Sequence, residues 1–271
     1  MWEMGYYDFM AKMGVPYFHF GGLRATDRLA ELCGIGSRSE ILAVGCGTGY
    51  TACYLSERLG CRVVGIDISG EMIERAVERA ESMGLTGRVE FRVGDANEME
   101  FDDDGFDAVI SEFVTIFLDK PQAFSEYFRV LRPGGYAGIN ELYKAAEMPD
   151  DTRALIEEAE EGFARAVGLE FYLPTPAEYE GWFREAGFGD VLLEQVDYDY
   201  SYWEYVEAVG GLSNLTKMVG GSVYHILFNR EMKDSFRDMG RIKELLVRNR
   251  KTKPYTGDVI CVGRKPNSAS S

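Results

Sequence analysis

The chain has only two histidines, His19 and His225, among its 271 residues, and its five cysteines include no C-x-x-C pair. Structural zinc needs clustered Cys or His at fixed spacing, so no metal site is expected. The cysteines, at positions 33, 46, 53, 61 and 261, are odd in number and unpaired by spacing. They read as free thiols in a reducing compartment. No apolar run approaches the roughly 18 residues that a membrane span requires. The opening Met1-Trp2-Glu3-Met4-Gly5-Tyr6 lacks the basic and apolar regions of a secretory signal, so a cytoplasmic protein without membrane attachment is expected. Positive charge is also scarce: 29 Lys and Arg stand against 45 Asp and Glu, for a net charge of −16. Such a surface repels phosphate backbones, which argues against a nucleic-acid partner.

What is present is an ordinary globular composition, 46% hydrophobic and 27% charged, at a length suited to one α/β domain with insertions. Its most informative stretch is Ile41-Leu42-Ala43-Val44-Gly45-Cys46-Gly47-Thr48-Gly49. Ile41 to Val44 suit a buried parallel strand, whereas Ala52, Leu55 and Leu59 recur at helical spacing, which places the glycines at the turn between strand and helix. Without Cβ atoms that turn can be sharp and a ligand can approach its amides. A second apolar run, Arg62 to Ile66, delivers Asp67, whose carboxylate can accept two hydrogen bonds from a ribose diol. A dinucleotide fingerprint would read G-x-G-x-x-G. Here Tyr50 stands where its last glycine belongs, which weakens the reading as an NAD-dependent oxidoreductase.

With these residues the chain resembles the class I S-adenosylmethionine (SAM)-dependent methyltransferases, in their small-molecule, type 11-like branch. In that family V-G-C-G-T-G is the cofactor loop and the acid after the second strand holds the ribose. Val93-Gly94-Asp95-Ala96 resembles the adenine-contacting motif, Phe106-Asp107-Ala108-Val109-Ile110 the fourth strand, and Leu131-Arg132-Pro133-Gly134-Gly135 the turn entering the fifth. The motifs stand in family order. The resemblance implies SAM as cofactor and S-adenosylhomocysteine (SAH) as product, with Gly45, Cys46, Gly47, Gly49, Asp67, Ile68, Asp95, Ala96 and Glu112 as cofactor-binding residues. One position departs from it. Most relatives carry an acid where this chain has Ala43, a carboxylate that helps fix the amino end of the methionine moiety. Its loss weakens or re-routes that contact, and compensation by another polar group is the reading adopted.

The expected fold is α/β, a Rossmann-like, seven-stranded, mostly parallel sheet with helices on both faces and a mainly helical cap insertion. Strands are expected at 39–44, 62–66, 88–93, 106–112, 136–142, 191–196 and 259–263. Helices are expected at 3–13, 22–34, 48–59, 70–83, 120–130, 150–168 and 175–186. Ligands of such sheets bind beyond the strands' carboxyl ends, and each motif is expected at such an end. By this reading residues 1–37 form an amino-terminal helical lid. Residues 38–196 form the SAM-binding core, with a helical insertion about 144–187. Residues 197–258 form a cap over the substrate, and 259–271 the last strand and tail. A connection as long as 197–258 should carry its own structure. It opens Asp197-Tyr198-Asp199-Tyr200-Ser201-Tyr202-Trp203, an extended aromatic stretch, and 223–248 reads as one or two helices.

Tyr7, Tyr200, Tyr202 and Trp203 are candidates for substrate contact, and packing between two copies of the chain is the alternative use of those rings. Aromatic faces beside carboxylates suit a cation. An amine nitrogen is therefore the preferred acceptor, with an O- or C-methyltransferase of a phenolic or quinone-like ring next, and a non-catalytic SAM or SAH binder the third reading, supported by Ala43. Methyl transfer needs a base only if the acceptor must lose a proton. Glu112 ranks first for that task because it ends the fourth strand; Glu141 and Tyr143 occupy the analogous end of the fifth, and Tyr143 and His19 rank after Glu112.

Overall fold

A computed structural model describes residues 21–196, 206, 212, 216 and 230–267. The expected helix over 3–13, His19, Tyr7 and the aromatic run holding Tyr200, Tyr202 and Trp203 lie outside the described residues. Seven strands form one sheet: β1 (Glu40–Val44), β2 (Arg62–Asp67), β3 (Val89–Val93), β4 (Phe106–Glu112), β5 (Leu131–Lys144), β6 (Gly189–Val196) and β7 (Thr256–Arg264). Their order is β3-β2-β1-β4-β5-β7-β6. The first five are parallel, and β7 runs antiparallel between β5 and β6. The chain winds outward from β1 to β3, then returns to place β4 on β1's other side. The carboxyl ends of β1 and β4 therefore part at the point where the winding reverses, which opens a crevice.

Among the described residues the helices are α1 (Gly22–Leu32), α2 (Tyr50–Leu59), α3 (Gly70–Ser82), α4 (Lys120–Val130), α5 (Asp150–Val167), α6 (Pro176–Glu185) and α7 (Arg230–Lys243). Their starts are written in the sequence. Ser69 caps α3 by accepting the Met72 N–H at 3.3 Å, and Asp119 caps α4 by accepting that of Gln122 at 3.2 Å. Thr175 and Glu178 form a reciprocal capping box ahead of α6. Within α3, Met72, Ile73, Ala76 and Ala80 are buried, the spacing of one apolar helix face.

Because the parallel strands are covered on both sides, their alternate residues feed two cores. Leu42, Val44 and Val109 point to the core beneath α4, α5 and α6, with Phe124, Tyr127, Phe163 and Phe183. Ile41, Ala43, Ala108 and Ile110 point to the other, beneath α1, α2 and α3, with Leu29, Ala52, Leu55 and Ala76. Ile242, Leu245 and Leu246, from α7 and the π turn Glu244–Arg248, join the first core. The end of the long connection is thus part of the domain's interior.

Three expectations are corrected. The fifth strand opens at Leu131 rather than residue 136: Leu131 pairs with Phe106 and Tyr136 with Ala108, and residues between them form a bulge in the ladder. Gly134, at φ +84°, makes that bulge, while its N–H donates to the Lys265 carbonyl at 2.9 Å. The Pro-Gly-Gly motif consequently lies at the sheet's amino edge, opposite the crevice, not at a carboxyl end. Third, β7 starts at Thr256, inside the segment read as insertion, because Lys144 already pairs with it.

Helix α1 seats directly on the sheet. A Cβ at Gly138 of β5 would lie 2.6 Å from both Cys33 Sγ and Leu29 Cδ1. Gly138→Ala is expected to destabilise the fold by about 1–3 kcal/mol through overpacking. Urea unfolding measures this, and an unchanged midpoint would show that α1 is not held against β5.

Candidate functional site

At the carboxyl ends of β1, β2 and β4 lies a cavity of about 330 Å³. A second hollow, about 240 Å³, sits at the opposite edge among Glu40, Arg62 and Arg88, away from the crevice that the strand order creates. Gly45, Cys46, Gly47, Asp67, Ile68, Asp95, Ala96 and Glu112 of the sequence-derived set all line the larger cavity. Gly49 stands just behind it as the residue before α2. Tyr143 is not among the described lining residues; its ring packs toward Gly257 of β7, whose Cβ would meet it at 3.0 Å.

The glycine loop is shaped by what surrounds it. Gly45 has φ +61°, and a Cβ there would lie 2.3 Å from Val114 Cγ2, so Val114 packs on bare backbone. Gly47 has φ +52° and nothing within 4 Å of its missing Cβ, which leaves its outer side open. Its N–H donates to Asp67 Oδ2 at 2.9 Å, while Asp67 Oδ1 accepts the Ser69 N–H at 2.9 Å. One carboxylate thereby ties the loop after β1 to the loop after β2. Burial pushes the Asp67 carboxyl above its ordinary range, against the pull of those two donors. A carboxylate has about four acceptor directions, so two lone pairs remain for a ligand diol. On the loop's far side Arg79 of α3 donates to the Thr48 carbonyl at 2.9 Å and stacks over the Tyr50 ring.

Next to Asp67, Ile68 is 76% exposed, the most exposed large hydrophobic side chain among the described residues, and it faces the cavity with Met72. Such a bare apolar face at a cavity rim is what a flat heterocycle can cover. Asp95 is already partly used: its Oδ1 accepts the Asn97 backbone N–H at 2.8 Å and side-chain N–H at 3.1 Å.

Glu112 ends β4 on the same sheet face as Ala43, because Ala43 pairs with Ile110 and alternate residues share a face. The Thr26 hydroxyl of α1 lies 3.0 and 3.2 Å from its two oxygens, and the Thr51 hydroxyl of α2 donates to Oε2 at 3.1 Å. Here is a carboxylate beside the position of the missing acid, aimed by two threonines. Neither threonine was visible as a site residue, since both contacts join positions remote in sequence.

The opposite wall also escaped sequence reasoning. Phe113 takes the left-handed conformation, φ +59°, and bends the chain sharply after β4. The following residues, Val114, Phe117 and Leu118, line the cavity with Phe113 and Leu169. Phe117 stacks on Phe163 of α5 at 5.9 Å, and Phe163 on Phe171 at 4.2 Å, so the wall is continuous with the core. The only available signal was position, immediately beyond a carboxyl end. The cysteines add no chemistry of their own: burial pushes Cys46 well up, Cys53 to about 11 and Cys33 to about 12, which keeps their thiols protonated. Among the described residues no His, Cys, Asp and Glu group could hold a metal, and no helix is long and apolar enough to cross a membrane.

Comparison with known proteins agrees with this geometry. A methyltransferase domain family matches residues 41–135. An uncharacterized protein of Haemophilus influenzae is 30% identical over 195 residues, 70% of this chain and 73% of that one. Phosphoethanolamine N-methyltransferase 1 of Arabidopsis thaliana is 33% identical over 183 residues, 67% of this chain and 35% of the plant enzyme. The chain thus spans about a third of that relative's length. In fold it resembles a phosphoethanolamine N-methyltransferase 2 of Haemonchus contortus solved with SAM, at TM-score 0.67 and 20% identity over 96% of this chain and 57% of the other. With its glycine loop, the Asp67 carboxylate at the end of β2 and these relatives, the chain belongs to the class I SAM-dependent methyltransferases.

Proposed function

We propose that the chain methylates a small molecule with an apolar body, a phenolic or quinone-like ring, and that the cavity holds SAM along the glycine loop with the acceptor against the Phe113–Leu118 wall. The observation that carries this reading is that wall: Phe113, Val114, Phe117, Leu118 and Leu169 present apolar surface where the acceptor would lie. A ring gains from stacking and from leaving water there. The cavity's remaining carboxylates have other work. Asp67 bridges two loops and Asp95 caps its own turn.

When bound, SAM supplies an activated methyl group on sulfur. The residues of the chain then have to hold, orient and dry the reacting groups. In this reading Asp67 accepts the ribose hydroxyls, Ile68 covers the adenine with Asp95 and Ala96 at its edge, and Gly45, Cys46 and Gly47 let the methionine moiety lie close to backbone. Glu112 takes over the amino end that an acid at position 43 would otherwise serve. Thr26 and Thr51 hold it ready for that ammonium, which favours a binding role over that of a base. Tyr143 has no part, and His19, Tyr7, Tyr200, Tyr202 and Trp203 stay candidates for closing the acceptor side. Since α1 is seated on the sheet, only the part of 1–37 before it stays the proposed lid; 197–258 stays the proposed cap, yielding to β7 at Thr256.

An amine nitrogen is the second reading. The phosphoethanolamine N-methyltransferase relatives and the net charge of −16 favour it. Its aromatic support lies in tyrosines outside the described residues.

Labelled SAM offered with a panel of phenols, quinols and simple amines, phosphoethanolamine included, separates the two: label is expected on the ring compounds, and labelling of amines alone would reverse the assignment. Asp67→Ala is expected to weaken SAM binding by about 1–3 kcal/mol in calorimetry, from lost ribose bonds and a loosened loop; undiminished affinity would remove Asp67 from the site. Glu112→Gln is expected to lower SAM affinity about tenfold, as one charge-assisted hydrogen bond is worth. If affinity holds while turnover collapses, Glu112 is a base instead.

A further inference from the structure

Glu141 is a carboxyl that the site as described does not use. It lies on β5, 2% exposed, with its side chain directed beneath the bend after β4. Its Oε1 accepts two backbone N–H groups from that bend, Val114 at 2.9 Å and Thr115 at 2.7 Å. Its Oε2 is buried and has no hydrogen-bond partner among the described residues. The groups facing it are Thr115 below the bend, Lys120 and Tyr127 of α4, and Tyr179 of α6. Lys120 donates to the Ile116 carbonyl at 2.9 Å and lies over the Tyr172 ring, and the Tyr179 hydroxyl donates to the Leu142 carbonyl at 2.8 Å. No described ion pair neutralises Glu141.

What Glu141 holds bears directly on the glycine loop. Left-handed Phe113 is a strained conformation that persists only where its surroundings over-determine it. The Phe113 N–H donates to the Asn140 carbonyl at 2.9 Å, and the next two N–H groups converge on Glu141. These bonds fix the bend, and the bend sets Val114 against Gly45, where no Cβ could fit. We propose that Glu141 is a positioning residue for the cofactor site: by holding the Val114 and Thr115 amides it keeps Val114 on Gly45 and so fixes the shape of the glycine loop. This rests on the reading that the cavity holds SAM.

The buried setting gives the device a direction with pH. Desolvation pushes the Glu141 carboxyl up to about 8. The folded state therefore binds this proton more tightly than the unfolded chain does, so the stability it contributes is present in acid and is lost as pH rises through that value. Above it, an uncompensated buried charge must draw water or move, either of which loosens the bend.

Calorimetric titration of the full chain with SAH tests the proposal. At about pH 6.5, Glu141→Ala is expected to bind SAH about tenfold more weakly while keeping its circular dichroism, and Glu141→Gln, which retains a neutral acceptor, to stay within about twofold of the unaltered protein. At about pH 9 the unaltered protein is expected to lose affinity relative to Glu141→Gln, a divergence that a merely structural role would not produce. A folded Glu141→Ala with undiminished affinity, or parallel pH profiles for the unaltered protein and the glutamine variant, would overturn it. Should Glu141→Ala fail to fold, Val114→Ala probes the same contact from its other end; weaker SAH binding supports the proposal and unchanged binding overturns it. If the unaltered protein binds no SAH, the cavity assignment itself fails and the role of Glu141 goes with it, an outcome distinct from binding that ignores Glu141.

Discussion

Val114 resting on the bare backbone of Gly45 is the contact on which the site depends. It closes the crevice between β1 and β4 at its base, where the reversal of strand order has drawn their carboxyl ends apart. Gly45 takes its positive φ at no steric cost, whereas the residue before Val114 is left-handed without being glycine. Each is held by bonds from a neighbouring strand. Gly47, two residues on, is tied to Asp67 beyond β2, and Val114 to Glu141 on β5. Four parallel strands thus each contribute one anchor to the cradle at the same edge.

The two sheet faces divide the remaining work. On the face under α1 and α2, Thr26 and Thr51 aim Glu112 beside the position where an acid is absent at Ala43. On the face under α4, α5 and α6, the aromatic stack of Phe117, Phe163 and Phe171 extends the interior to the cavity wall. Polar anchoring thus lies on one side of the crevice and apolar surface on the other. A charged methionine end and an apolar acceptor would each meet a matching wall.

Glu112 and Glu141 show how one residue type takes different roles from its setting. Glu112 is half-buried, lines the cavity and is bonded by hydroxyl donors. Glu141 is enclosed, with one oxygen saturated by backbone and the other unpartnered among the described residues. In sequence they look alike, an acid near the end of an apolar strand. Burial and the donors on neighbouring elements separate them, and neither is a property of the local segment.

Much of the fold was legible because it is local. Strand and helix periodicity, the caps at Ser69, Asp119 and Thr175, and the glycine spacing all act within a few residues, so β1 to β4 and α2 to α6 fell within about two residues of expectation. The amino acids alone determined the class of fold, the donor site's glycine loop and the carboxylate at Asp67. Misread were features set by pairing partners: the bulge at Gly134 and the early start of β7 beside Lys144. Tertiary structure alone decided that Thr26 and Thr51 orient Glu112, that Phe113 and Val114 build the opposite wall, and that Glu141 braces it. Those contacts join residues up to 86 positions apart. They exist only when the sheet brings its carboxyl ends together, because side-chain periodicity reports which face is buried and not what lies across it.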